Sequence, residues 1–122
     1  MKTNEAILDQ FGELLIKEFF DNQFRFIDNS VSDLSETKEF ENLFRNMSDV
    51  QKKEIEKYTF EKLKGGLFDF MRIFEENRQF KIVYEENREQ VDLVKISEML
   101  KAEPVIENGW IDRFSKFANR GY

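Results

Sequence analysis

Between Ser48 and Asn77 the chain reads SDVQKKEIEKYTFEKLKGGLFDFMRIFEEN. Its apolar or small positions recur at three- and four-residue steps: Ile55, Tyr58, Thr59, Leu63, Gly66, Leu67, Phe70, Met71, Ile73 and Phe74. At about 100° per residue these fill one broad face of a helix, with Lys57, Glu61, Lys64, Arg72 and Glu75 opposite. Phe60 and Met71 fall at the edge of that face and Phe68 outside it. Ser48 followed by Gln51 is a capping-box pattern, and Asp49 places a negative charge in the first turn, where the helix dipole favours it. Gly65 and Gly66 each cost roughly 1 kcal/mol against alanine in a helix interior. The apolar phase nevertheless continues unbroken across them, which predicts one helix, straight or bent at the glycines, roughly 45 Å long if straight. An in-phase Gly66 is expected to mark close helix–helix contact on the buried face; the alternative is a hinge or a point of ligand approach.

Before this stretch, Ile7, Leu8, Phe11, Leu14, Leu15 and Phe19 step at helical intervals. Thr3 or Asn4 is placed to cap them, and the spacing predicts a first helix over about 4–27, crowded at its far end by Phe20, Phe24, Phe26 and Ile27. Ser32 or Ser35 begins a second, shorter helix with Phe40, Leu43, Phe44 and Met47 on its buried side. After Asn77 the period changes to two. Phe80, Ile82 and Tyr84 alternate with Lys81, Val83 and Glu85, then comes the polar turn Glu86-Asn87-Arg88-Glu89, then Gln90 to Val94. These form an antiparallel hairpin, which needs the helices to pack against. A short helix follows over Ile96–Lys101, with Ser97 as its candidate cap and Pro104 as its stop. Trp110, Ile111, Phe114 and Phe117 fit helical steps and predict a terminal helix, although residues 108–118 also alternate well enough to form a strand. The fold class expected is α+β: a mainly helical domain with a long central helix and a small C-terminal antiparallel β-hairpin, residues 1–122 forming a single domain.

Composition narrows the chemistry. With 40% hydrophobic and 36% charged residues, the chain is too apolar for disorder and lacks a run of about 18 apolar residues that would span a membrane. The opening MKTNEAILDQ lacks the basic-then-apolar layout of a signal peptide. There is no cysteine, which excludes disulfides and thiol chemistry and fits a reducing, cytoplasmic setting. There is no histidine either, which excludes the Ser-His-Asp triad, the Cys-His pair and the Glu-x-x-His ligands of di-iron bundles. No metal or cofactor site is expected, and no catalytic residues are assigned. The net charge is −6, of which residues 1–47, with ten acids and five bases, carry −5. That balance disfavours nucleic acid and suits a basic protein partner.

Several local features have ordinary structural readings. Glu75-Glu76, Glu85-Glu86 and Glu89 sit among Arg78, Lys81 and Arg88, as a solvated helix end and hairpin would. Acid–base work would need burial or proximity to split their pKa values. Lys52, Lys53, Lys62 and Lys64 are interleaved with Glu54, Glu56 and Glu61 and are expected to form i,i+4 pairs. Gly65-Gly66 lacks the spacing of a phosphate-binding loop. Fourteen Phe residues read first as core and second as the lining of a ligand pocket between the first helix and the long one. Trp110 is either core or an exposed anchor; with Arg113 and Lys116 beside it, it forms the candidate partner-binding group.

The ending Gly109-Trp110-Ile111-Asp112-Arg113-Phe114-Ser115-Lys116-Phe117 resembles a GWI-x-x-FSKF/Y ending of small uncharacterised bacterial proteins, some of them immunity-like. The resemblance covers nine residues and a similar layout of helices followed by a hairpin. It implies a binding role. The function expected is therefore a small acidic protein-binding module without enzymatic activity, of the kind that neutralises a basic toxin domain. A small-molecule binding module, a structural homodimer paired through the long helix, and a carboxylate enzyme are the alternatives.

Overall fold

A computed structural model describes residues 2–25 and 38–119. Helix α1 spans Asn4–Leu15, begun by Thr3, whose hydroxyl accepts the Ala6 amide at 3.1 Å. It runs without interruption into one π-helical stretch, Ile16–Phe20, and helical residues continue to 25. The first helix is thus where the apolar spacing predicted it, but it carries a π insertion; residues 26–27, and the Ser32 or Ser35 cap of the second helix, lie outside the described residues. Helix α2 is a single turn, Glu41–Phe44, burying Phe44 and leaving Phe40 and Leu43 exposed.

Helix α3 is the 28-residue element Asp49–Glu76, about 42 Å long at 1.5 Å per residue. Its capping box is complete: the Ser48 hydroxyl accepts the Gln51 amide at 3.1 Å and the Gln51 side chain accepts the Ser48 amide at 2.9 Å. The helix passes through Gly65 and Gly66 without a break, as the unbroken phase required. Asn77 closes it, its backbone and side-chain amides both donating to the Ile73 carbonyl. At the same end Glu75 accepts the Lys101 amide at 2.6 Å, tying α3 to the last third of the chain.

Strands β1 (Val83–Glu86) and β2 (Glu89–Asp92) form the antiparallel hairpin, in register Val83↔Asp92 through Glu86↔Glu89. Asn87 and Arg88 make the two-residue turn, both at positive φ (52° and 70°), the geometry that matches the twist of paired strands. Asp92 then caps the single turn α4, Leu93–Ile96, accepting the Val94 amide at 3.0 Å. The helix predicted over Ile96–Lys101 is not there. Asp92, an acceptor two residues before Val94, starts a helical turn earlier, and the chain is extended at Ser97 and Met99 before a 3₁₀ turn, Leu100–Ala102, that ends before Pro104. Helix α5 is Trp110–Phe114, the helical alternative for this segment, reached through Asn108 at φ 59°.

One cluster of buried side chains holds these pieces together. It includes Ile7, Leu8, Ile16, Phe20 and Phe24 from the first helix, Phe60, Leu67 and Met71 from α3, and Leu93, Leu100, Trp110, Ile111 and Phe117 from the remainder. Phe60 meets Phe20 and Phe24 edge to face at 5.2 and 5.5 Å, and Phe24 meets Phe117 at 4.7 Å. Such aromatic pairs add about 0.5–1.5 kcal/mol each beyond their area. The arrangement is α+β, mainly helical, with α3 the longest element and the hairpin in the C-terminal half.

Candidate functional site

The long helix is buried less, and on a different line, than its pattern indicated. Only Phe60, Leu67 and Met71 are buried among its 28 residues, and none between Asp49 and Thr59. Phe60 and Met71, expected at the edge of the apolar face, are its buried centre. The apolar face is wider than the neighbouring elements cover, so tertiary packing chose one side of it. The other side is left open: Tyr58 is 59% exposed, Phe70 51% and Ile73 47%.

Along that open side runs a groove of about 330 Å³, walled by Leu15 and Phe19 on one side and by Lys62, Leu63, Gly66, Leu67 and Phe70 on the other. No polar surface is exposed in it; Lys62 contributes its methylene stem, and its ammonium lies over the Tyr58 ring, 5.4 Å from the centroid. The π stretch shapes the first wall. An inserted residue in a helix shifts every later side chain round the axis, and π insertions gather at functional sites. Here Ile16, Phe20 and Asp21 are buried, while Phe19 stays 47% exposed at the groove.

Gly66 forms part of the second wall and is not the contact expected of it. A Cβ built on Gly66, or on Gly65, meets nothing within 4 Å. The close approach belongs instead to Gly12, whose Cβ would lie 2.5–2.6 Å from the Trp110 ring. Gly12 follows the buried Leu8 by four residues, so the in-phase rule applied at Gly66 would have found it.

The candidate partner-binding group is divided by the fold. Trp110 is fully buried, edge to face with Phe11 at 5.7 Å, so the core reading replaces the exposed-anchor reading. Arg113 is engaged within the chain: it donates to the Asp9 carboxylate and to the Asn108 carbonyl, both at 2.9 Å. The bond to Asp9 is the main reason its pKa is raised further. Lys116 is exposed, its ammonium over the Phe117 ring at 5.2 Å, and its amide donates at 3.0 Å to Asp21. Asp21, 6% exposed, also accepts the Ser115 hydroxyl at 2.6 Å, which fastens the C-terminal segment to the end of the π stretch. Nothing in the sequence distinguishes this acid from the others on the first helix.

Glu86 and Glu89 are partners across the hairpin, but none of the paired acids joins a group of three or more among the described residues. Glu75 holds Lys101, Glu76 lies 3.9 Å from Arg72, and Glu86 accepts the Tyr84 hydroxyl at 2.8 Å, the chief cause of the raised Tyr84 pKa. Glu103 is half-buried beside Ser97. Burial pushes its pKa up, against the Ser97 hydroxyl and Arg113, which pull it down. None of these acids lines the groove. Among the described residues no group of three or more acids is placed to hold a metal ion, and no helix is long and apolar enough to cross a membrane.

The ending that carries the resemblance is largely structural. Gly109, Trp110, Ile111 and Phe117 are buried, and a Cβ on Gly109 would lie 2.4 Å from the Glu103 carbonyl oxygen. Compared with protein families, with curated proteins and with solved structures, the chain matches none.

Proposed function

We propose that this chain is a non-catalytic protein-binding module and that the groove between the first helix and α3 is where its partner docks. The observation that carries the reading is the composition of that groove: about 330 Å³ bounded by apolar surface alone, with Phe19 and Phe70 half exposed on its two walls. Apolar side chains left open to water cost free energy that burial against a partner would recover, at about 25 cal/mol per Å². A small-molecule pocket of about 300–1,000 Å³ ordinarily carries a few polar groups that orient its ligand. This groove exposes none, so volume is the one feature that speaks for the small-molecule alternative. Neutralisation of a toxin domain is the specific form of the binding role that the C-terminal resemblance implies.

The test is site-specific photo-crosslinking in the cells that make the protein, with a benzophenone side chain at position 70 and, separately, at the exposed position 57 on the opposite face. A discrete protein adduct from position 70, absent from position 57 and competed away by unlabelled protein, is the expected result. Equal labelling at both positions, or none at position 70, would count against the groove.

A further inference from the structure

Along the open side of α3, five positions repeat at alternating four- and three-residue steps: Thr59 and Leu63, both half-buried with Leu63 also packed against the core, then the exposed Gly66, Phe70 and Ile73. None is buried, and Leu63, Gly66 and Phe70 line the groove. A mean step of 3.5 residues is the spacing of a helix seam that packs against a second helix lying nearly alongside it, at roughly 20°. The glycine falls in the middle of this seam. It costs the free chain about 1 kcal/mol in helix propensity, and among the described residues nothing approaches it closely enough to require the missing Cβ. A helix crossing over position 66 would gain close backbone approach there, and would insert its apolar side chains between α3 and the wall made by Leu15 and Phe19.

Resting on the groove being a docking site, we infer that its occupant is an amphipathic α-helix of another, basic protein, laid along α3 and crossing it at Gly66. Charge separates this occupant from a second copy of the chain. Each copy carries −6, so two copies would meet with like net charge, whereas a cationic helix is drawn in. The row bordering the seam on its open side is locally balanced, with Asp69 and Glu76 both within reach of Arg72 at 3.5 and 3.9 Å, so the attraction comes from the charge of the whole chain, which residues 1–47 mostly carry.

The experiment uses the full chain and two fluorescent three-heptad peptides with the same apolar seam and alanine at the crossing position, one flanked by lysine and the other by glutamate. Binding is read by anisotropy at low and high salt, with sedimentation of the free protein alongside. The lysine peptide is expected to bind at least about fivefold more tightly than the glutamate peptide at low ionic strength, the gap closing as salt screens the charges. Gly66→Leu, which fills the groove where a Cβ meets no neighbour, is expected to abolish binding without lowering the unfolding temperature; Phe70→Ser is a second block if Gly66→Leu misfolds. Equal binding of both peptides, lost in Gly66→Leu, would overturn the basic-helix assignment and leave the groove reading standing. Binding of neither peptide by a folded, monomeric chain would overturn both. A dimer of the free protein that Gly66→Leu dissociates would overturn the assignment in favour of a second copy.

Discussion

Among the described residues three glycines lie within helices, Gly12, Gly65 and Gly66, and the same substitution is expected to act in opposite directions among them. Glycine to alanine in a helix interior gains about 1 kcal/mol when the added methyl meets no obstacle, partly by restricting the unfolded chain. Gly65 and Gly66 meet that condition, since nothing lies within 4 Å of either new Cβ. Gly65→Ala/Gly66→Ala is therefore expected to stabilise the protein by about 1–2 kcal/mol, or roughly 3–5 °C per kcal/mol for a domain of this size. At Gly12 the methyl would enter the Trp110 ring at 2.5 Å, and that ring is fully buried against Phe11. Overpacking of about 1–3 kcal/mol then offsets or outweighs the propensity gain, and a ring held this tightly puts the cost toward the upper end, a net loss of up to about 2 kcal/mol. Urea unfolding with an unchanged m-value is the assay, and near-ultraviolet circular dichroism of the single tryptophan should change only in Gly12→Ala. A stabilised Gly12→Ala, or a destabilised Gly66→Ala, would mean that the two glycines have exchanged roles and that α3 is packed where it is described as open.

Two further expectations concern carboxylates. Asp21→Ala removes the buried acceptor for the Ser115 hydroxyl and the Lys116 amide, and should cost about 2–4 kcal/mol in urea unfolding, with Asp21→Asn losing less; a loss within error for Asp21→Ala would dismiss the fastening of the C-terminal segment. Glu103 has its pKa raised above its ordinary 4.5, mainly by burial, so the folded state holds the proton more tightly than the unfolded chain does. The stability this contributes is present below about pH 4.5 and is lost as pH rises through the raised value. Glu103→Gln should therefore gain in unfolding temperature over the parent near neutral pH and lose that advantage in acid, whereas an advantage that grows in acid would reverse the argument.

Much of the fold was legible because local chemistry and tertiary structure agree. Ser48 and Gln51 specify the start of α3, the unbroken phase carries the helix across two glycines, and the alternation after Phe80 gives the hairpin. The remainder was decided by packing. The apolar face of α3 is broader than its neighbours cover, and no local rule selects Phe60, Leu67 and Met71 as the buried line over Tyr58, Phe70 and Ile73. The π insertion at Ile16–Phe20 leaves only crowded phenylalanines as its trace. Trp110, Arg113 and Lys116 are close in sequence, but one helical turn directs the tryptophan into the core and the arginine onto Asp9. The groove itself joins residues more than forty positions apart, which no periodicity within one segment reports.

The most direct test of the docking claim is amide chemical-shift mapping of the labelled protein as the lysine-flanked helix, or a partner captured through position 70, is added. The largest changes are expected on Leu15, Phe19, Leu63, Gly66 and Phe70. Changes centred on the hairpin, or on Arg113 and Lys116, with Gly66 unmoved, would contradict it.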